Sequence, residues 1–480
     1  MTRTTSRVAL ASLALALAVV PLQAATITIV NTLDPPGFGF NDTTVVAPVG
    51  GNPGTTLGQQ RLNVFQQAAN IWGAQLPSNV EIKVYSFWDS TMTCTATTAT
   101  LGSAGAIEIY SDFPGAEFTG TWYPVALANK LSNTDQNPAE NDLQARFNPD
   151  LGTPGCLDTS PWYLGYDGNE GAGVDLFAVI LHEMGHGLGF ATYVNKSTGV
   201  WCCPAPDPQQ PDIYSRYILD EVTGLVWSDP TETNAQRQAS AISLTNLTWN
   251  GTNVTTNVPT YLARQPRLIV TAPAPAVGSY PVGTAAFGAP LTDPGFVGQT
   301  IVAATDTGGV SADDGCEAIT NGATVAGNIA MVNRGNCTFV IKVKNCQDAG
   351  AIAVVIVNNA AGAFGLGGSD PTITIPSVGI DQTQGNLIRA NLPATADLGL
   401  NTMPRAGTNA AGRVMLYAPN PVQGGSSVSH WDTTAFPNLL MEPAINSDLN
   451  HTVDLTLEQM RDIGWFLPPV PVELMQLEIE

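Results

Sequence analysis

Two histidines stand four positions apart at His182 and His186, with Glu183 directly after the first, in the run Leu181-His182-Glu183-Met184-Gly185-His186. On an α-helix such residues lie on one face, one turn apart, so both imidazoles reach a single metal ion at about 2.0–2.1 Å. Glu183 then projects beside the ion rather than onto it. From there a carboxylate can take a proton from a water whose pKa zinc has lowered toward about 7. The spacing thus encodes two ligands and one general base for hydrolysis. Histidine is rare in this chain, 4 in 480 residues, which makes a chance match improbable, roughly one in a thousand. The plain alternative is a surface helix with two solvated histidines. The apolar run Phe177 to Leu181 argues against it, because that run buries the helix, and an unpartnered buried histidine pair is costly.

Catalytic zinc needs a third protein ligand and an open position. In the metzincin signature the run after the second histidine continues x-x-Gly-x-x-His. Gly189 stands at the glycine position, but Thr192 stands where the third histidine would be, and threonine is a poor zinc ligand. The remaining candidates are His430, His451 and Glu442. His451 sits between Asn450 and Thr452, a polar setting. Glu442 would make a site with a carboxylate ligand, but it adjoins a turn rather than a helix.

His430 lies in Ser427-Val428-Ser429-His430-Trp431-Asp432, followed by Asn438-Leu439-Leu440-Met441-Glu442-Pro443. This arrangement resembles the leishmanolysin-like branch of the metzincins: two ligands on a helix, a long insertion, a His-Trp step and then a Met-containing turn. The likeness covers roughly residues 58–200 and 405–465. It implies His430 as third zinc ligand, Met441 as an apolar floor beneath the metal, and Leu455 to Trp465 as a closing helix. It further implies one catalytic zinc and peptide-bond hydrolysis with Glu183 as base. Asp167, Asn169, Glu170 and Asp175 precede or open the metal-binding helix. Calcium binding there is a weak expectation, since their spacing does not match an EF-hand loop; a polar loop with a helix cap is the better reading.

The elements that must hold these residues are legible in part. Leu62, Phe65, Ala68, Ala69 and Trp72 recur at helical spacing within 58–75, and Val174 to His186 is the clearest helix of the chain. Asp175 sits near its start, where a carboxylate suits the helix dipole. Gly187 and Gly189 fall where it should stop. Val80 to Phe87 and Gly105 to Tyr110 read as strands. From about residue 268 to 400 aromatics thin out and Gly and Ala dominate. There Asn328 to Asn333 and Ala351 to Val357 read as strands around a helix carrying Phe339, Val343 and Cys346.

Residues 316–380 resemble a protease-associated domain. The resemblance rests on Gly315-Cys316, Arg334-Gly335-Asn336-Cys337-Thr338-Phe339, Lys342, Ala349-Gly350-Ala351 and Ile375-Pro376-Ser377-Val378. It implies a non-catalytic module that shapes substrate access or binds protein, and a structural spacer is the plain alternative. The expected fold class is α+β. A metzincin-like catalytic domain, a twisted sheet plus the active-site helix, occupies 26–267 and 401–468. A small α/β protease-associated domain is inserted at 268–400, and 469–480 is a tail.

Composition bounds the setting. At 44% hydrophobic residues the chain can bury real cores, and a formal charge of −22 excludes a nucleic-acid partner of the usual basic kind. Arg3 and Arg7, the apolar run Val8 to Val20 and Pro21-Leu22-Gln23-Ala24-Ala25 read as a secretory signal over residues 1–25. No later stretch spans a membrane, so the mature protein is expected outside the cell or in a periplasm, with a protein or peptide substrate. The oligomeric state is not written in these patterns. Seven cysteines follow the signal. Cys316 with Cys337 is a reasonable disulfide, Cys94 with Cys156 a weaker one, and an odd count leaves one over. The competing functional class is a secreted binding or adhesion protein with a structural or inactive zinc site.

Overall fold

The computed structural model describes residues 23–203, 205–446 and 448–468. Nearly all of the expected signal, and the whole tail at 469–480, lie outside the described residues. Among the described residues no helix is long and apolar enough to cross a membrane. The chain forms two compact units. One comprises residues 23–189, 450–453 and 463–468, and the other 190–449 and 454–462.

The first unit is built on a four-stranded mixed sheet. Its strands are β1 (Ile27–Val30), β2 (Ile82–Trp88), β3 (Gly102–Ala106) and β4 (Leu143–Phe147), in the order β1-β2-β4-β3. β1, β2 and β4 run parallel, and β3 is antiparallel to β4, with Gly102 opposite Phe147 and Ala106 opposite Leu143. β2 and β4 alternate buried with less buried residues, as a half-covered sheet requires. Helix α1 (Leu57–Gln75) starts where Thr56 caps the Gln59 amide, and it buries Val64, Phe65, Ala68, Ala69 and Trp72. Helix α2 (Val125–Ser132) ends at Asn133 in the left-handed region. Helix α3 (Leu176–Leu188) carries the His-Glu-His run and is buried at every position but His186. The expected strand at Gly105 to Tyr110 is broken: β3 ends at Ala106, and Ile109–Tyr110 pairs separately with Tyr123–Pro124. The Cys94–Cys156 disulfide belongs to this unit.

The second unit contains a closed seven-stranded barrel, which the sequence patterns did not announce. Its strands are β5 (Arg264–Ala272), β6 (Gly278–Thr284), β7 (Phe296–Ala303), β8 (Ile329–Asn333), β9 (Ala353–Val357), β10 (Ser377–Ile380) and β11 (Ala394–Arg405). They close in the order β5-β6-β10-β9-β8-β7-β11. The expected strand–helix–strand unit is present as β8, helix α4 (Phe339–Asp348) and β9, with β8 and β9 parallel. In β9 Ala353, Val355 and Val357 join the interior core, whereas Val354 and Ile356 meet Val343 and Cys346 of α4 in a second core. Both faces are covered, hence the uninterrupted apolar run. Cys316 bonds Cys337 and Cys202 bonds Cys203, which leaves Cys346 as a buried free thiol whose pKa burial pushes up to about 12.

Candidate metal centre

Helix α3 is fixed from several sides within the first unit. Asp175 is its N-cap, accepting the Phe177 amide at 2.9 Å. The Trp72 indole donates to the Leu181 carbonyl at 3.0 Å, and the Trp465 indole to the Leu188 carbonyl at 2.9 Å. At Gly187 a side-chain carbon would lie 2.3 Å from Leu143, so glycine is what lets the helix lie against β4. Gly189 ends the helix at φ +128°, in the region that favours glycine.

On this helix the Nε2 atoms of His182 and His186 face each other at 3.1 Å, with the rings nearly perpendicular. Two imidazoles that share a tetrahedral zinc at about 2.05 Å each need their nitrogens roughly 3.3 Å apart. The pair therefore fits one metal ion, and it does so on a buried helix. Glu183 is 7% exposed. Burial pushes its carboxyl up to about 8, with the Ala104 amide of β3 pulling the other way. The edge strand sets its position: a side-chain carbon at Gly102 would lie 3.1 Å from both Cγ and Oε1 of Glu183. The strand's role was not legible beforehand, because Gly102–Ala106 is all glycine, serine and alanine.

His451 has a different environment from the polar, solvated one expected. Its Nε2 pairs with the carboxylate of Asp175, and its ring lies 4.3 Å from that of Phe177. It braces the start of α3. Asp175 is thus spent on a cap and the contact with His451, and Asp167 accepts from the Tyr163 hydroxyl and the Asn169 amide. These contacts match a polar loop with a helix cap, and no metal-holding group forms around Asp167, Glu170 and Asp175 among the described residues.

The second unit holds the remaining candidates. Thr192, at the position where the signature has histidine, donates its hydroxyl to buried Asp212 at 2.8 Å. His430 is 5% exposed and its Nδ1 donates to the Ser426 carbonyl at 2.7 Å, which fixes the ring and places the proton of a neutral imidazole on Nδ1. The Trp431 amide donates to the Met441 carbonyl at 2.8 Å, so the His-Trp step and the methionine turn are joined directly. Met441 is fully buried. Glu442 accepts the Leu439 amide with one oxygen and Asn446 with the other, so both are engaged within its own turn. Helix 455–465 was expected; the helical segment is Thr456–Asp462, and Asp462 caps the helix Thr252–Tyr261 by accepting the Asn253 amide.

A family model for the PA domain matches residues 297–388, within the barrel. Over 84 residues the chain is 36% identical to ER degradation-enhancing alpha-mannosidase-like protein 3 of Xenopus laevis, covering 15% of this chain and 9% of that protein. Over 66 residues it is 38% identical to Signal peptide peptidase-like 4 of Oryza sativa subsp. japonica, covering 13% and 12%. The chain thus spans about a tenth of the length of these curated relatives. Among solved structures, BSAP, a zinc aminopeptidase from Bacillus subtilis, aligns over 31% of this chain and 35% of its own, at 22% identity and a TM-score of 0.23. That score is too low to carry an argument about fold or activity.

Proposed function

We propose that this chain is a secreted zinc-dependent metalloendopeptidase of the leishmanolysin-like kind, its catalytic segments flanking a PA domain inserted at 268–400. The observation that carries the reading is the His182–His186 pair at 3.1 Å with buried Glu183 between them in sequence. In this reading His430 is the third ligand, beside His182 and His186, as the resemblance of the His-Trp step implies. The donor set, three neutral imidazoles with one position left for water, suits catalytic zinc.

A zinc ion held there would supply Lewis-acid chemistry for peptide-bond hydrolysis. Glu183 would accept the proton of the attacking water and pass it to the leaving amine. Its burial serves this role, since a carboxylate shielded from bulk water has a higher proton affinity, and is a stronger base, than an exposed one. Met441 provides an apolar floor and no ligand. Substrates are proteins or peptides.

Metal analysis and a casein assay on wild type, Glu183→Gln and His430→Ala test the reading. Wild type should hold one zinc per chain and cleave casein. Glu183→Gln should keep the zinc and lose cleavage, and His430→Ala should lose zinc. A His430→Ala protein that binds zinc as well as wild type sinks the third ligand. A zinc-loaded wild type with no activity on any protein favours a binding protein with a structural metal.

A further inference from the structure

The barrel carries a second group of converging ligands, in the loop that leaves β7. Asp306, Asp314 and Glu317 each present a carboxylate oxygen, and these oxygens lie within 4.8 Å of one another. Asp306 and Asp314 are each 1% exposed. Proximity of acidic groups is common and proves little, but two oxygens here are both buried and unsatisfied: Asp306 Oδ1 and Glu317 Oε2 have no hydrogen-bond partner. The side chains of Asp306 and Asp314 also meet each other, and their other oxygens have main-chain or amide partners. Asp306 Oδ2 accepts the Glu317 amide at 3.4 Å, Asp314 Oδ1 accepts the Cys316 amide at 2.9 Å, and Asp314 Oδ2 accepts Asn336 Nδ2 at 2.5 Å.

Buried Lys342 is the cation whose charge acts on these three carboxylates, but its ammonium donates to other groups. It donates to the Asp314 main-chain carbonyl at 2.6 Å and touches Cys316 Sγ at 3.2 Å. Three carboxylates against one ammonium leave two formal negative charges in a buried place, a cost that a cation removes. Gly309 makes room: a side-chain carbon there would lie 2.3–2.6 Å from the Glu317 carboxylate. The Cys316–Cys337 disulfide ties the loop to the turn before α4.

We propose that Asp306, Asp314 and Glu317 form a divalent-cation site in the PA domain, that its ion is calcium, and that it stabilises this module independently of the zinc centre. An all-oxygen, all-carboxylate donor set selects a hard cation, and calcium tolerates the irregular geometry of a loop better than magnesium does. Extracellular calcium modules bind at about 10⁻⁴–10⁻³ M, which sets the expected range.

The test uses the full-length, zinc-loaded protein prepared in calcium-free buffer. Calcium chloride is titrated by calorimetry, and thermal melting is followed in parallel. Saturable binding of one calcium per chain with a rise in Tm is expected. Asp306→Asn and Glu317→Gln should each weaken binding at least tenfold, whereas Glu183→Gln should bind as wild type does. Glu317 is only partly buried, so if Asp306→Asn fails to fold, Glu317→Gln decides. Absence of saturable binding in wild type would overturn the site. Unchanged affinity in Glu317→Gln would overturn it equally.

Discussion

Glu183 and Glu442 are both buried carboxyls, and their surroundings assign them opposite tasks. Glu183 has one amide from β3 and lies beside two imidazoles on its own helix. Replacing it with glutamine keeps shape and volume and removes only proton transfer, so kcat should fall by about 10²–10⁴ with the zinc content unchanged. Single-turnover hydrolysis with parallel metal analysis checks this. Glu442 is tied into its turn by two donors, and burial still pushes its pKa from 4.5 up to about 7. A carboxyl raised in the folded state contributes stability fully below about pH 4.5 and loses it as pH rises through about 7. Glu442→Gln, neutral throughout, should therefore gain in Tm relative to wild type between about pH 5 and 8. A difference in Tm that stays flat across that range would show that Glu442 does not titrate there. The pair His182–His186 was legible because its geometry is local, two residues on one helical turn. The contact of His451 with Asp175 was not, because 276 positions separate them and nothing in Asn450-His451-Thr452 names a distant partner.

At the scale of elements, the edge strand β3 and helix α3 act as one device. Gly102 lies so close to Glu183 that any branched side chain there must push the carboxylate away. Gly102→Val should lower kcat about tenfold or more while zinc binding persists, because the atoms an added side chain meets first belong to Glu183 and Phe147. Zinc stoichiometry beside kcat distinguishes displacement of the base from loss of the metal, and a variant with wild-type kcat would remove β3 from the positioning of Glu183. Helices α1 and α3 were readable from apolar spacing, since their burial follows the 3.6-residue period. β3 was not, because Gly-Ser-Ala-Gly-Ala has little strand preference of its own and becomes a strand by pairing with β4. The barrel was hidden for a related reason. Its individual strands β8 and β9 show in the apolar runs, but closure depends on β5 pairing with β11, more than 100 residues later, and no local pattern encodes that.

At the scale of the whole molecule, the barrel begins and ends where the chain returns to itself. β5 and β11 are antiparallel neighbours with Arg264 opposite Arg405, and the Ala406 amide donates to the Ala263 carbonyl at 3.0 Å. Residues 263 and 406 therefore stand about 5 Å apart, as a bonded antiparallel pair does. The barrel hangs from two adjacent strands, so removing it leaves ends that a two-residue hairpin loop can join. The flanking chain has its own anchors: Ala263 donates to the Phe436 carbonyl, and Trp249 donates to Val414. Replacing residues 264–405 with Asn-Gly should thus give a protein that folds, binds zinc and cleaves short peptides at a rate within about tenfold of wild type. If the PA domain governs access, cleavage of folded or long substrates should change far more than that. Comparing kcat/KM on a short peptide and on casein for the two proteins reads this ratio. Equal losses on both substrates would make the module a structural support for the catalytic segments, and loss of zinc would mean that those segments cannot find each other without it.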